Sequence, residues 1–299
     1  MDHQTAVVQS PEAQVPGDFN PLLIQCLKDM QTRNISLPTL PDISLKIRKA
    51  ISDEKANNAR IARVVQVDPA ITGRLVQIAN SPLYLGRKKI ESCPEALTRV
   101  GLRSAQHFIT SFALKSVFQA KSPVIRKRMQ DLWAHSSYVA AISAVLAHKT
   151  KVGGFDPDRA MLAGLIHDIG VVPILTCADR HPDFIENVGN IDHAIAELRA
   201  NMGVMVVKAW NFPEDFEDVV VHAESWHRVG KAQPDYADIV TLSQLHSFVG
   251  TLHIHKCPPI DETPAYAKLI GKDLDADVSR NVLELAKEEI RQIQTMLTN

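Results

Sequence analysis

The residues best able to do chemistry are an adjacent histidine and aspartate, His167 and Asp168, in the apolar segment AGLIHDIG at 163–170. An unpaired carboxylate costs several kcal/mol when it is buried, so Asp168 must contact water, a cation or a hydrogen-bond donor. The two side chains diverge by about 100° around a helix, but a metal ion at the helix end could still bind both. The pair therefore indicates a candidate metal site at a helix end, with Gly170 predicted as the left-handed C-cap.

A second histidine, His135, lies on the apolar stripe of a helix predicted over 131–150. Its imidazole should therefore point into the protein rather than into solvent. A neutral histidine in that place is either a metal ligand or a core histidine that hydrogen-bonds to Asp168 or to a backbone carbonyl. Both interpretations stay open, and so does the question of whether His135 meets the His-Asp pair in space.

Helices must position these residues, because apolar side chains recur at three- and four-residue spacing along most of the chain from Asn20 onward. Asp68 and Pro69 form a strong helix start, since the carboxylate can accept from free N–H groups and proline fits the first turn. Residues 122–128 (SPVIRKR) are predicted as a basic connection. Only 251–255 (TLHIH) alternates as a strand would. The pattern predicts an all-α protein of roughly ten helices.

Composition narrows the class of protein. The chain has 299 residues, 45% of them hydrophobic and 22% charged, with a formal net charge of -1. With so small a net charge, the protein has no overall electrostatic attraction for nucleic acid or for an anionic membrane. The four cysteines form no CxxC pair, no apolar run could span a bilayer, and the N-terminus lacks the features of a signal peptide. We therefore expect a soluble, cytoplasmic protein with free thiols that binds neither membranes nor nucleic acid.

Several segments together resemble one known family. They are LPTLP (37–41), DPAITGRLVQIANSPLY (68–84), EALTRVG (95–101), LWAHSSYVAAISAVLA (132–147), AGLIHDIG (163–170), KAWNFPEDF (208–216) and VVHAESWH (220–227). In these segments the chain resembles the HDOD family, a non-enzymatic branch of the HD metal-dependent phosphohydrolase superfamily. The resemblance covers about residues 37–250.

The resemblance implies a two-lobed, all-α fold. An N-terminal helical lobe is expected over 20–125 and an HD-like helical bundle over 126–255. Outside the resemblance, residues 1–19 are polar and lack periodicity, which predicts a flexible tail. Apolar periodicity predicts a C-terminal helical extension over 256–299, with its last helix from about Asp275 to Leu297.

The resemblance also implies a metal site that is largely degenerate. In the superfamily, one or two divalent ions held by scattered histidines and aspartates activate water for attack on a phosphate ester. His135, His167 and Asp168 match the first three positions. The histidine expected shortly before Gly203 is missing, and Gln244 stands where the last aspartate would be. No cofactor is expected, beyond weak binding of Fe, Mn, Zn or Mg.

Other residues are weaker candidates. His222 matches one of two paired histidines of the superfamily, and Trp226 and Gln244 could line the same cleft. In the N-terminal lobe, Asn80 and Ser81 belong, with the Asp68-Pro69 start, to the signature of the family. A binding role for Asn80 and Ser81 is one hypothesis, and a helix cap is the other.

Two functions from different classes follow. The first is a regulatory or scaffolding module in bacterial signal transduction, without catalysis, whose partners are signalling proteins acting in trans. The second is a divalent-metal phosphohydrolase that acts on a nucleotide or a cyclic dinucleotide. A third, weaker hypothesis is a sensor that binds a nucleotide in the cleft of the degenerate metal site and does not hydrolyse it.

Overall fold

The computed structural model describes residues 20–53, 56–84, 86, 88–150, 152, 154–184, 188–270, 281, 283, 284 and 286–298. No strand occurs among these residues, which confirms the predicted all-α fold. The predicted tail at 1–19 lies outside the described residues. The helices are α1 Pro21–Gln31, α2 Asp42–Ile51, α3 Asn58–Val65, α4 Pro69–Ala79, α5 Cys93–Val100, α6 Leu102–Ala113, α7 Pro123–Lys149, α8 Pro157–Ile166, α9 Val171–Arg180, α10 Val188–Ala209, α11 Glu214–His222, α12 Tyr236–Ser247, α13 Pro264–Leu269 and α14 Lys287–Thr298.

Helix α4 begins where the sequence predicts. The side chain of Asp68 accepts hydrogen bonds from the backbone of Ala70 at 2.9 Å and of Ile71 at 3.1 Å, and Pro69 occupies the first turn. These two bonds satisfy N–H groups that have no partner inside the helix. The cap fixes the start of a helix that buries Ile71, together with Leu75, in the core.

The end of α4 is held by Asn80. Its amide donates to the carbonyls of Val76 at 3.0 Å and Ile90 at 2.8 Å, and it accepts from the backbone N–H of Ile90 at 2.9 Å. The side chain therefore ties the helix end to the segment that precedes α5. Ser81 is buried, and its hydroxyl has no hydrogen-bond partner in the described part of the chain.

The long helix α7 runs through the bundle, and α8 lies against it. A Cβ atom built on Gly164 would lie 2.8 Å from the Cα of Ala140, so the two helix backbones approach closely. The prediction of a basic connection at 122–128 is wrong, because α7 already begins at Pro123. Proline suits a first helical turn, and the charged side chains that follow it lie on the solvent side of that helix.

Gly170 is not a left-handed cap, since its φ is -66°. Helix α8 ends at Ile166, a turn carries His167 and Asp168, and α9 begins after Gly170. Glycine is required there for a different reason. A Cβ atom would lie 1.9 Å from the carbonyl oxygen of Arg199 and 2.5 Å from the backbone nitrogen of Gly203. The missing side chain lets α10 pass directly beside the His-Asp pair.

Two further predictions concern the C-terminal part of the chain. The short alternation at 251–255, the one strand candidate in the sequence, is not a strand, because Leu252–Lys256 forms a short 3-10 helix. The start of the last helix, expected near Asp275, falls outside the described residues, which place α14 at Lys287–Thr298.

One stretch, Pro157–Arg180, is long and apolar enough to be a candidate membrane span within the described residues. It consists of α8, the turn with the His-Asp pair, and α9. The most apolar part of this stretch is 94% buried inside the protein. Its hydrophobic side chains therefore pack in the core of the bundle.

Polar side chains join the N-terminal helices to the bundle. The guanidinium of Arg48 donates to the carbonyl oxygen of Trp210 at 2.6 Å. The indole N–H of Trp210 donates to the carbonyl oxygen of Pro38 at 2.8 Å. The hydroxyl of Tyr84 donates to Asp158 at the start of α8. These contacts hold the two groups of helices in one packed unit.

Candidate metal centre

Three candidate ligands meet in the structure. One ligand atom from each of His135, His167 and Asp168 lies within 4.8 Å of the others. Helix α7 supplies His135, and the turn after α8 supplies the adjacent pair. The rings of His135 and His167 are 5.3 Å apart between centroids, in an edge-to-face arrangement. The side chains that the sequence places on two separate helices therefore converge.

The ring of His167 is fully buried and has a defined orientation. Its Nδ1 lies 2.8 Å from the carbonyl oxygen of Gly164, so this nitrogen carries a proton and donates. Its Nε2 lies 3.1 Å from the Oδ2 of Asp168. A lone pair on Nε2 and a carboxylate oxygen repel each other unless a cation, either a proton or a metal ion, lies between them.

A third partner, Arg199, reaches Asp168 from α10. Its Nη1 lies 2.7 Å from the Oδ1 of Asp168, and its Nη2 lies 3.0 Å from the Oε2 of Glu224. The guanidinium is mostly buried, while Glu224 is half exposed. One carboxylate oxygen of Asp168 thus faces His167 and the other is bound by a permanent cation.

The charges around Asp168 set its protonation state. Burial raises the pKa of Asp168, but the charge and hydrogen bond of His167, together with the charge of Arg199, lower that pKa further. The net result is a pKa well below the usual range, and the group is a carboxylate at neutral pH. Burial and the neighbouring charge of His167 lower the pKa of His135 to about 4, so His135 is neutral.

These residues do not fit a tightly held catalytic metal ion. Catalytic ions bind three or more protein ligands, with water completing the shell, and hard ions take further carboxylates. His135, His167 and Asp168 supply three side chains and one negative charge, and Arg199 already neutralises that charge. The cluster has the donor atoms for weak binding of a divalent ion.

An aromatic wall borders the cluster on the side of α12. The ring of Phe248 stacks on His135, with centroids 5.6 Å apart and planes 8° from parallel. Trp226 meets the same phenyl ring edge-on at 6.4 Å, and His253 lies against it at 5.6 Å. Trp226, one of the predicted cleft residues, is therefore connected to His135 through Phe248.

The other cleft candidates are placed less directly. Gln244 is buried one helical turn before Phe248 on α12, and its side-chain carbonyl has no hydrogen-bond partner in the described part of the chain. His222 is the last residue of α11 and is not a member of the three-residue cluster with Asp168.

Sequence reasoning missed Arg199, Glu224 and Phe248. For Arg199 a signal existed. It lies four residues after Ile195 and four before Gly203, on the buried side of α10, where an unpaired guanidinium is costly. Glu224 and Phe248 carry no comparable signal, because their contacts depend on how α11 and α12 pack in space.

The profile of the HDOD domain matches residues 37–226, which is more than half of the chain. The chain belongs to the HDOD domain family. This HDOD domain also has a curated relative, an uncharacterised protein of Treponema pallidum (strain Nichols), that is 24% identical over 222 residues. The alignment covers 69% of this chain and 40% of that protein, so the chain spans less than half of the relative's length.

Solved structures share the fold of this HDOD domain. A Shewanella amazonensis SB2B protein, provisionally named a metal-dependent phosphohydrolase, has a TM-score of 0.80 and 23% identity, covering 92% of this chain and 98% of that chain. An HDOD domain protein of unknown function from Geobacter sulfurreducens has a TM-score of 0.67 and 22% identity, covering 93% and 97%.

A third structure, from Marinobacter aquaeolei VT8, is provisionally named a signal transduction protein. Its TM-score is 0.58 at 17% identity, and the match covers 96% of this chain and 68% of that chain. At these identities the likeness shows a common fold and nothing about activity.

Proposed function

We propose that this HDOD domain is a regulatory or scaffolding module of bacterial signal transduction that acts through partner proteins in trans and hydrolyses no phosphate ester. The observation that carries the proposal is the ion pair between Arg199 and Asp168, 2.7 Å apart. The only carboxylate of the three-residue cluster is engaged by a side-chain cation. The name of the Marinobacter protein, which has the same fold, agrees with a role in signalling.

The electrostatics favour a cluster without a catalytic metal. A divalent ion bound to His135, His167 and Asp168 would lie close to the guanidinium of Arg199, and repulsion in a buried site amounts to several kcal/mol. Arg199 cannot release its proton at physiological pH, so it stays a competitor. Glu224 holds the second face of the guanidinium and keeps it in place.

The test is metal analysis of the purified full chain together with a hydrolysis assay. We expect no stoichiometric iron, manganese or zinc by mass spectrometry. We also expect no hydrolysis of bis(p-nitrophenyl) phosphate, linear nucleotides or cyclic dinucleotides with Mn²⁺ added. Stoichiometric metal together with hydrolysis, both lost in His167→Ala, would overturn the proposal.

A second function is favoured by one observation, the 3.1 Å approach of His167 Nε2 to Asp168 Oδ2. Two ligands of one metal ion lie about that far apart. In a phosphohydrolase acting on a nucleotide or cyclic dinucleotide, His135, His167 and Asp168 would hold the ion. The ion would supply an activated water. The same metal and hydrolysis measurements decide between the two functions.

Nucleotide binding without turnover is a separate proposal for the cleft beside His135 and Phe248. Isothermal calorimetry with mononucleotides and cyclic dinucleotides tests it, and the absence of heat with all of them would reject it. We also propose a cytoplasmic location, because all four cysteines are free thiols. Detection of the native protein in a periplasmic or membrane fraction would contradict that location.

A further inference from the structure

A groove of about 480 Å³ lies between α2 and α3, away from the His-Asp cluster. Its floor is aliphatic and includes Ile43 and Val64. Val67, in the turn that follows α3, is 79% exposed. An exposed aliphatic side chain beside a concave apolar floor is a typical feature of a surface that binds a partner.

The rim of the groove is basic. Lys46 and Lys49 line it from α2, and Arg60 and Arg63 line it from α3. Arg60 pairs with Asp53 at 2.7 Å. No carboxylate pairs with Lys46, Lys49 or Arg63 within the part of the chain that the structure describes. The groove therefore carries a local excess of positive charge on a chain whose formal net charge is -1.

The groove is built on a firmly held support. On another side of α2, Ile47 is fully buried and Arg48 donates to the carbonyl oxygen of Trp210 at 2.6 Å. On α3, Ile61 and Val65 are fully buried. The basic and aliphatic side chains thus stand on helices whose other faces are fixed, which lowers the entropic cost of binding.

We infer that this groove binds an acidic amphipathic helix of a partner protein. Aliphatic side chains of that helix would contact Val64 and Val67, and its carboxylates would pair with Lys46, Lys49 and Arg63. The groove-forming helices have 10 and 8 residues, or lengths of about 15 and 12 Å, which match two to three turns of a partner helix. The inference rests on the proposed function, in which the chain acts through partners.

Other anionic partners fit the groove less well. None of its described lining residues is aromatic, so nucleotide bases have no stacking surface. A bilayer surface is flat and would contact protruding rather than recessed side chains. A partner helix satisfies both the concave aliphatic floor and the cationic rim.

The test is fluorescence anisotropy of a labelled helical peptide titrated with the full chain. The probe has about 18 residues, which is long enough to be helical, with leucines at three- and four-residue spacing and flanking glutamates. We expect binding that Lys46→Glu/Arg63→Glu weakens by about tenfold or more, because attraction becomes repulsion. Val67→Asp, at an exposed position, should weaken it as well.

The matched control is Lys89→Glu/Lys231→Glu, which changes the net charge equally at exposed lysines outside the groove. This variant should bind as the wild type does, and a peptide of the same composition in scrambled order should bind weakly. No binding up to about 1 mM peptide, equal loss in both double variants, or equal binding of the scrambled peptide would overturn the inference.

Displacement of the peptide by single-stranded RNA or by anionic vesicles, at lower concentration than by unlabelled peptide, would also overturn it. Metal content and hydrolysis are measured on the same preparations. If the groove binds no peptide, the inference fails but the proposed function is unaffected. If the wild type hydrolyses a phosphate ester, the proposed function fails but the peptide-binding result is unaffected.

Discussion

The guanidinium of Arg199 and the carboxylate of Asp168 form a buried ion pair 2.7 Å long, beside His167 and across from His135. Asp168 therefore has its cation supplied by the chain itself. Gly170 makes this possible, because only a residue without a side chain lets the backbone of α10 lie so close to the turn. The candidate metal centre is thus a cluster in which a side chain of α10 competes with any metal ion.

Removing the guanidinium should destabilise the protein. Arg199→Met leaves Asp168 buried with only His167 as a partner, and we expect a loss of about 3 kcal/mol in the free energy of unfolding. Adding Asp168→Asn should recover part of that loss, because the buried charge is removed as well. Urea unfolding followed by tryptophan fluorescence measures the double-mutant cycle.

The matched pair for this cycle is Arg128 and Asp192, also 2.7 Å apart, in which the Asp192 carboxylate is largely exposed and Arg128 is partly exposed. Arg128→Met/Asp192→Asn and its single variants should change stability by about 1 kcal/mol or less. Equal effects at the two pairs would show that burial of Asp168 does not matter.

Changing Arg199 to histidine should create a metal site. Arg199→His removes the competing charge and adds a fourth donor beside His135, His167 and Asp168. We expect Mn²⁺ or Zn²⁺ to raise the melting temperature of this variant and to leave the wild type unchanged, since a ligand stabilises only the state that binds it.

The control is Arg128→His, which makes the same exchange at a partly exposed position outside the cluster. A melting temperature that rises equally in the wild type, in Arg199→His and in Arg128→His would mean that the metal binds elsewhere. A rise in the wild type alone would contradict the role assigned to Arg199.

Local pattern was enough to predict most of the helices, because apolar side chains recur at helical spacing. It placed His135 on a buried helix face, while the grouping of His135 with the His-Asp pair followed from the resemblance to the HDOD family. The failures have physical reasons too. Pro123 opens a helix rather than a loop, and the charges after it reflect an exposed face. At 251–255 the alternation covers too few residues to identify a strand, and Leu252 is 85% exposed.

The arginine in the site could not be predicted in the same way. Arg199 lies 31 residues from Asp168 along the chain, and their contact depends on the close passage of α10 beside Gly170. The contact of Phe248 with His135 likewise depends on how α12 lies against α7. Sequence periodicity gives the buried face of each helix but not which buried residues of different helices touch.

The requirement for glycine at 170 gives a third prediction. In Gly170→Ala, the new methyl group must displace the backbone of α10 near Arg199 and Gly203, and backbone does not yield cheaply. We expect a loss of about 3 kcal/mol in the free energy of unfolding. Differential scanning fluorimetry and urea unfolding measure it.

Gly73 is the matched control, because it lies within α4 and a Cβ built on it meets nothing within 4 Å. Gly73→Ala should be neutral or stabilise by about 0.5–1 kcal/mol, since alanine favours the helix. A similar loss for both variants would reject the close approach of α10.

The buried carboxyl of Asp158 gives a prediction about pH. Burial raises the pKa of Asp158 to about 6, although hydrogen bonds from Ser104 and Tyr84 oppose that rise. The folded state therefore keeps the proton over a range in which the unfolded chain, with an ordinary pKa of 3.8, has released it. Stability from this group is fully present below about pH 4 and is lost as pH rises to 6, by about 3 kcal/mol.

The measurement is urea unfolding of the wild type and Asp158→Asn between pH 4 and 7, expressed as the difference in unfolding free energy. That difference should fall with rising pH and level off above pH 6. Burial lowers the pKa of His107 to about 4, which makes both proteins less stable as pH falls below 6.5 and so largely cancels in the difference. A difference that is constant with pH would show that Asp158 ionises in the folded protein as it does in water.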